Sequence, residues 1–176
     1  SPDWSELNIQ DGTRHVSPGL LTEPEYHACQ SLIAKRWRGN PDEAAILGFV
    51  LLAAFRFGLR AQEAIQLRRA DWCEHDDWLW IRVQNNRQRH LKSSASRRLV
   101  PCIGELDTTE RSIITAILSR YEIMAGDNDQ SKMLLCELND GKVGLHKACQ
   151  IVPQTLINII REVTGSSTLT LHHCRH

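Results

Sequence analysis

Side chains able to handle a phosphate group occur at three separate places in this chain. Gly58-Leu59-Arg60-Ala61-Gln62-Glu63 sets an arginine just behind a helix-stopping glycine, with an acid three residues on. Lys92 lies in a strip from Arg82 to Arg98 that holds six basic residues (Arg82, Arg87, Arg89, Lys92, Arg97, Arg98) and no acid. His172-His173-Cys174-Arg175-His176 forms the third. A guanidinium can grip two phosphate oxygens, an imidazole can hydrogen-bond a further atom, and a mobile ammonium can give up a proton once desolvated. His172 and Arg175, three apart, share a face on a helix. Arg60, Lys92, His172 and Arg175 therefore make a set suited to a phosphodiester, with Glu63 and His176 in support.

Each member also has a plainer reading. An arginine at a helix start with an acid at the third position on is usually a structural ion pair. A lysine in a polar turn is usually just solvated. His172, His176 and a cysteine could hold a metal and make a metal-dependent hydrolase. Against that, His172 and His173 diverge on a helix, and the acid of the zincin pattern is missing. Cys174 and Arg175 interrupt what would otherwise resemble an affinity tag.

Composition narrows the class. Of the 176 residues, 41% are apolar, enough to fill a core, and no low-complexity tract points to disorder. The longest apolar run, Ala44 to Phe57, is broken by Gly48 and Arg56 and is too short to cross a bilayer. Formal net charge is zero, yet Pro101 to Asp140 carries eight acids against three bases, so the basic strip stands apart from an acidic remainder. The six cysteines (Cys29, Cys73, Cys102, Cys136, Cys149, Cys174) form no CxxC pair and read as buried free thiols of a reducing compartment.

Residues 1–19 are polar and turn-rich, a linker or arm. Thr22 with Glu25 is a capping box that opens a helix running to about Trp37. Asn40 and Pro41 open a second, almost wholly apolar helix that ends at Phe57, with Gly58 as its stop. A short helix is expected over Ala61 to Arg68, then a turn from Asp71 to Asp77. Trp78 to Val83 and Leu99 to Ile103 read as strands of a ribbon that carries Lys92 in or near its turn. Asp107 with Glu110 caps a helix to about Met124. The stretch from 125 to 144 is loop-rich, with a short apolar element at Met133 to Leu138. Pro153 is expected to start a last helix, ending near Thr164-Gly165. The fold class is mainly α with a small antiparallel sheet (α+β).

Taken in order on these elements, the three motifs resemble the catalytic domain of the tyrosine recombinases, or phage integrases. Gly58-Leu59-Arg60 with Glu63, followed by Ala64-Ile65-Gln66-Leu67 and Ala70-Asp71-Trp72, is similar to the family's first-arginine motif. Lys92 through Arg97-Arg98-Leu99-Val100-Pro101 is similar to its lysine ribbon. Leu171-His172-His173-Cys174-Arg175-His176 is similar to its His-x-x-Arg-His box, with Cys174 where an aliphatic residue is usual. The resemblance spans roughly residues 20–176.

The resemblance implies the DNA breaking-rejoining fold, double-stranded DNA as partner and a self-assembled tetramer on that DNA. It implies no cofactor, no metal and no membrane, and a cytoplasmic site of action, on the nucleoid in a bacterial or phage setting. Arg60 and Arg175 would clamp the nonbridging oxygens of the scissile phosphate, and Lys92 would protonate the departing 5′ oxygen. His172 would assist proton transfer or hold the phosphate. A tyrosine would form the 3′-phosphotyrosyl bond. Tyr26 and Tyr121 match no nucleophile position, so the nucleophile is expected beyond residue 176 and the catalytic domain, 20–176, is read as C-terminally truncated. Arg87, Arg89 and Arg97 of the strip, with Gln154, Thr155, Asn158 and Arg161 on the last helix, are the expected DNA contacts.

Overall fold

The computed structural model of the chain describes residues 19–84, 97–125, 130–135 and 145–174. Helix α1, Glu23–Arg36, starts at the capping box read from the sequence: Glu25 donates its N–H to Thr22 Oγ1 at 3.4 Å, and its carboxylate accepts the Thr22 N–H at 2.9 Å. Helix α2, Pro41–Phe57, opens under Asn40, whose Oδ1 accepts the Glu43 N–H at 3.2 Å. It stops at Gly58, whose φ of 60° falls in the left-handed region that glycine enters without strain. Every residue of α2 from Ile46 to Phe57 is buried, so the helix forms the centre on which α1 and a later helix, α4 (Thr108–Ala125), pack.

After α2 the structure departs from the expected order in two places. The short helix α3 covers only Ala61–Ile65. A single 3-10 turn, Arg69–Asp71, follows, and strand β1, Trp72–His75, occupies the expected turn. Only Asp76 and Asp77 connect β1 to β2, Trp78–Val83, and Asp76 takes a φ of 51°. Aspartate tolerates that conformation in tight hairpins, which is why so polar a stretch can still pair. Strand β3, Arg98–Pro101, completes an antiparallel sheet in the order β1-β2-β3, with Val83 opposite Arg98. Ile81 and Val83 are fully buried and Trp72 packs on Phe49 and Phe57, so one face of the sheet closes over α2. Beyond α4, Thr108–Ala125, Met133 bridges to Arg68, and Leu134 and Leu135 enter the core.

The second departure is α5, Leu145–Thr164, which contains Pro153 in its interior instead of starting there. Pro153 has no N–H for the Cys149 carbonyl, a cost of roughly 3 kcal/mol within a helix. Ala148, Val152, Leu156, Ile159 and Ile160 nevertheless form one buried stripe. Val152, on the N-terminal side of the proline, contributes roughly 1.5–3 kcal/mol and buried Ala148 adds to it, which offsets the cost of carrying the helix through the proline. A 3-10 turn, Leu171–Cys174, closes the described chain. Among the described residues no helix is long and apolar enough to cross a membrane.

One buried polar cluster ties these layers together. Glu110, fully buried, accepts from Arg56 Nε at 2.7 Å, from the Tyr26 hydroxyl at 2.8 Å and from the Asp107 N–H at 2.8 Å. Arg56 also binds Glu23 at 2.8 Å, and its carbonyl accepts the Ile103 N–H just past β3. Tyr26 stacks on Phe55 with centroids 4.1 Å apart. Burial, the nearby Glu110 charge and the hydroxyl's hydrogen bond to it push its ionisation well above the ordinary range. Removing the Glu110 carboxylate leaves the buried Arg56 guanidinium with the exposed Glu23 as its one carboxylate partner among the described residues, and Arg56 Nε without its acceptor. Glu110→Ala is expected to cost about 3–5 kcal/mol in urea unfolding, against about 1 kcal/mol for Thr22→Ala at the α1 cap. Equal, small losses for both variants would contradict the central role of the pair.

Candidate active site

Arg60 is placed by what precedes and follows it. Leu59 is buried and donates its N–H to the Ala53 carbonyl, which fixes the chain as it leaves α2. Arg60 is the N-cap of α3 and is exposed. A guanidinium has no acceptor, so the cap runs one way, with Glu63 accepting the Arg60 N–H at 2.8 Å. Glu63 is buried and also pairs with Arg98 of β3, at 2.9 Å and 3.2 Å. Burial raises the Glu63 carboxyl. The Arg98 hydrogen bonds, the Arg60 N–H and the two arginine charges outweigh burial and hold it below its ordinary value. Among the described residues, no carboxylate forms a salt bridge with the Arg60 guanidinium.

His172 comes to the same place from the far end. Gly165, with φ of 69°, turns the chain out of α5, and its N–H returns to the Arg161 carbonyl at 2.9 Å. Arg161 Nε donates to the Leu169 carbonyl at 3.2 Å, bracing the loop that leads into the last 3-10 turn. Arg60, Gln62, Thr170, Leu171 and His172 then line one groove of about 320 Å³, closed on its third side by Cys149, Pro153 and Ile157 of α5. Burial pushes the Cys149 thiol up, and the Gln66 amide 3.7 Å away opposes it, so a neutral thiol lines this wall.

The neighbours of His172 turn elsewhere. His173 accepts the Thr170 N–H at Nδ1, its carbonyl takes the Leu21 N–H at 2.9 Å, and its ring would lie 2.7 Å from a Cβ at Gly19. Cys174 is fully buried, and burial with nearby Cys29 pushes its thiol up to about 12. Three adjacent residues that diverge in this way do not make a metal cage. Among the described residues, no group of three His, Cys, Asp or Glu side chains is placed to hold an ion.

The expected DNA-contact residues divide. Gln154 and Asn158 are exposed beside the groove wall, and Gln154 donates to Asn158 at 3.1 Å. Thr155 is half-buried on the other flank of the α5 stripe, and Arg161 is half-buried with its Nε held by Leu169, so neither presents the free exposed head expected of it. Arg97 is exposed at the mouth of β3. Lys92, Arg87, Arg89, Arg175 and His176 lie outside the described residues. Arg98 is a residue that motif reading passed over. Its partner lies 35 residues away, and the signal available was one more base in an acid-free strip. A larger groove of about 750 Å³ lies between the β1–β2 turn and α4, but Glu74, Asp76, Asp77 and Glu105 outnumber Arg111 there and would repel phosphate.

Compared with known proteins, the chain has no significant match to a protein-family model, a curated protein or a solved structure. The site therefore stands on its own geometry.

The lowered Glu63 ionisation fixes a sign. Its contribution is complete above the ordinary value of 4.5 and is lost as pH falls through the lowered one. Glu63→Gln is expected to cost about 1.5–3 kcal/mol at neutral pH, the range for hydrogen bonds to a charged group, and less as the solution is acidified. Urea midpoints of both proteins from pH 7 to pH 3 check this, and a gap that does not narrow on acidification would contradict it.

Proposed function

We propose that the chain is the catalytic domain of a tyrosine-type site-specific DNA recombinase. One observation carries the reading: the two described members of the expected phosphate-handling set, Arg60 and His172, are far apart in sequence yet line a single groove. Three features support it. The Arg60 backbone is clamped while its guanidinium is exposed, α5 sets the exposed amides of Gln154 and Asn158 beside the groove wall, and β3 anchors the end of the basic strip at Glu63.

In this reading Arg60 binds the nonbridging oxygens of the scissile phosphate, with Arg175 completing the clamp. These cations stabilise the charge that builds up as phosphorus becomes five-coordinate. A tyrosine oxygen bonds to phosphorus as the bond to the 5′ oxygen breaks. Lys92 gives its proton to that departing oxygen, and His172 hydrogen-bonds the phosphate or relays the phenol proton. Neither tyrosine of residues 1–176 suits the nucleophile's role. Tyr26 and Tyr121 are both buried, and the Tyr26 hydroxyl is committed to Glu110. The phosphotyrosyl bond conserves the energy of the broken ester for rejoining.

The test starts from the full-length protein and a random duplex pool, selected for binding at low salt. Selected sites are then rebuilt as nicked suicide substrates that release the 5′ fragment. A 3′-linked protein–DNA adduct is expected, absent from residues 1–176 alone, and Arg60→Ala should slow its formation by roughly 10²–10³. Binding should weaken steeply with salt, since phosphate contacts release counterions. Tight binding without any adduct would favour a non-catalytic DNA-binding module of the same fold. Hydrolysis that a chelator abolishes would favour a metal-dependent hydrolase.

A further inference from the structure

Resting on that reading, we propose that Arg98 is a positioning residue for the Arg60 guanidinium, acting through Glu63 and making no contact with DNA itself. A single carboxylate oxygen, Glu63 Oε2, accepts both the Arg60 N–H at 2.8 Å and Arg98 Nη2 at 2.9 Å, while Oε1 accepts Arg98 Nη1 at 3.2 Å. The Glu63 side chain is only 6% exposed, so it sits where the wrong orientation would leave a buried charge unpaired. Arg98 is in turn fixed in the sheet, opposite Val83. A continuous line therefore runs from β2 through Arg98 and Glu63 to the backbone of Arg60.

Helix α3 explains why Arg60 needs that line. It is five residues long, too short to hold its own first turn, and Arg60 stands outside it in extended backbone with φ of −70° and ψ of 149°. A small rotation there is magnified along a four-torsion side chain at the guanidinium. The Arg98 side chain is 38% exposed, and each of its terminal nitrogens gives an N–H to Glu63, which turns the guanidinium toward that carboxylate.

The experiment compares full-length wild type with Arg60→Ala, Arg98→Met and Arg98→Lys on a selected suicide substrate and on its methylphosphonate twin. In the twin, a methyl group replaces one nonbridging oxygen and removes the charge that Arg60 meets. At saturating DNA, Arg98→Met is expected to slow cleavage of the phosphate on the order of tenfold to a hundredfold. Arg98→Lys should recover part of that rate. Half-saturating DNA and its salt slope should stay at wild-type values, and on the methylphosphonate both Arg60→Ala and Arg98→Met should approach wild type.

Equal slowing of Arg98→Met on both substrates, with a lowered melting temperature, would show a merely structural residue and overturn the proposal. A salt slope smaller by about one would show a direct phosphate contact, and overturn it also. Wild-type rates for Arg98→Met beside a slow Arg60→Ala would reject Arg98 and leave the recombinase reading standing. If wild type forms no adduct, or Arg60→Ala cleaves normally, that reading fails and this proposal with it.

Discussion

The rest of the structure depends on a charge placed where charge is costly. Arg56 lies in the last turn of α2, the most apolar helix among the described residues, and its side chain is 6% exposed. A lone guanidinium there would be prohibitive. Glu110 from α4, Glu23 from α1 and the carbonyl of Ile103 after β3 meet it from three directions. Such a pair is weak as net stabilisation, because desolvation offsets most of the attraction. Its stronger effect is on geometry, since α1, α4 and the exit of β3 have one arrangement that satisfies it. Gly104 belongs to the same constraint: its φ is 76°, and a Cβ there would come within 3.0 Å of Arg56 Nη1.

That arrangement determines where α2 ends, and the end of α2 determines where Arg60 begins. The pattern at the site repeats the one at the core on a smaller scale. A buried carboxylate, Glu63, joins a short helix to the sheet, as Glu110 joins the long helices. Both accept a backbone N–H at the start of their own helix, Arg60 for Glu63 and Asp107 for Glu110. In each case the acid at the third helical position does two jobs: it caps its helix and holds a guanidinium brought from elsewhere. The groove at Arg60 is thus set by the fold, with exposed polar heads over a rigid base.

Much of this was legible in the sequence because it is local. Thr22 with Glu25 and Asp107 with Glu110 mark helix starts through atoms three residues apart, Asn40 with Pro41 marks one through adjacent residues, and each helix begins there. The shared groove of Arg60 and His172 is not local, and the order of the motifs suggested it without fixing it. Two local rules misled. Pro153 fits a first turn, yet Ala148 and Val152 already continued the apolar stripe to its N-terminal side, and that stripe was the better guide. The Asp71 to Asp77 stretch looked like a turn by composition, while a two-residue hairpin needs only Asp76 and Asp77. The Arg98–Glu63 and Arg56–Glu110 pairs were out of reach, since no spacing rule joins residues that meet only through tertiary packing.

In the proposed reading, the groove between α3, α5 and the last 3-10 turn receives a DNA phosphate. Titrating isotope-labelled protein with duplex DNA at low salt, and following the Arg60 guanidinium, the His172 ring and the Gln154 and Asn158 side-chain amides by NMR, tests it most directly. These signals are expected to shift together along one saturating curve, while the indole of Trp78, beside the acidic groove, stays still. Shifts that gather elsewhere, with Arg60 and His172 unmoved at saturation, would contradict it.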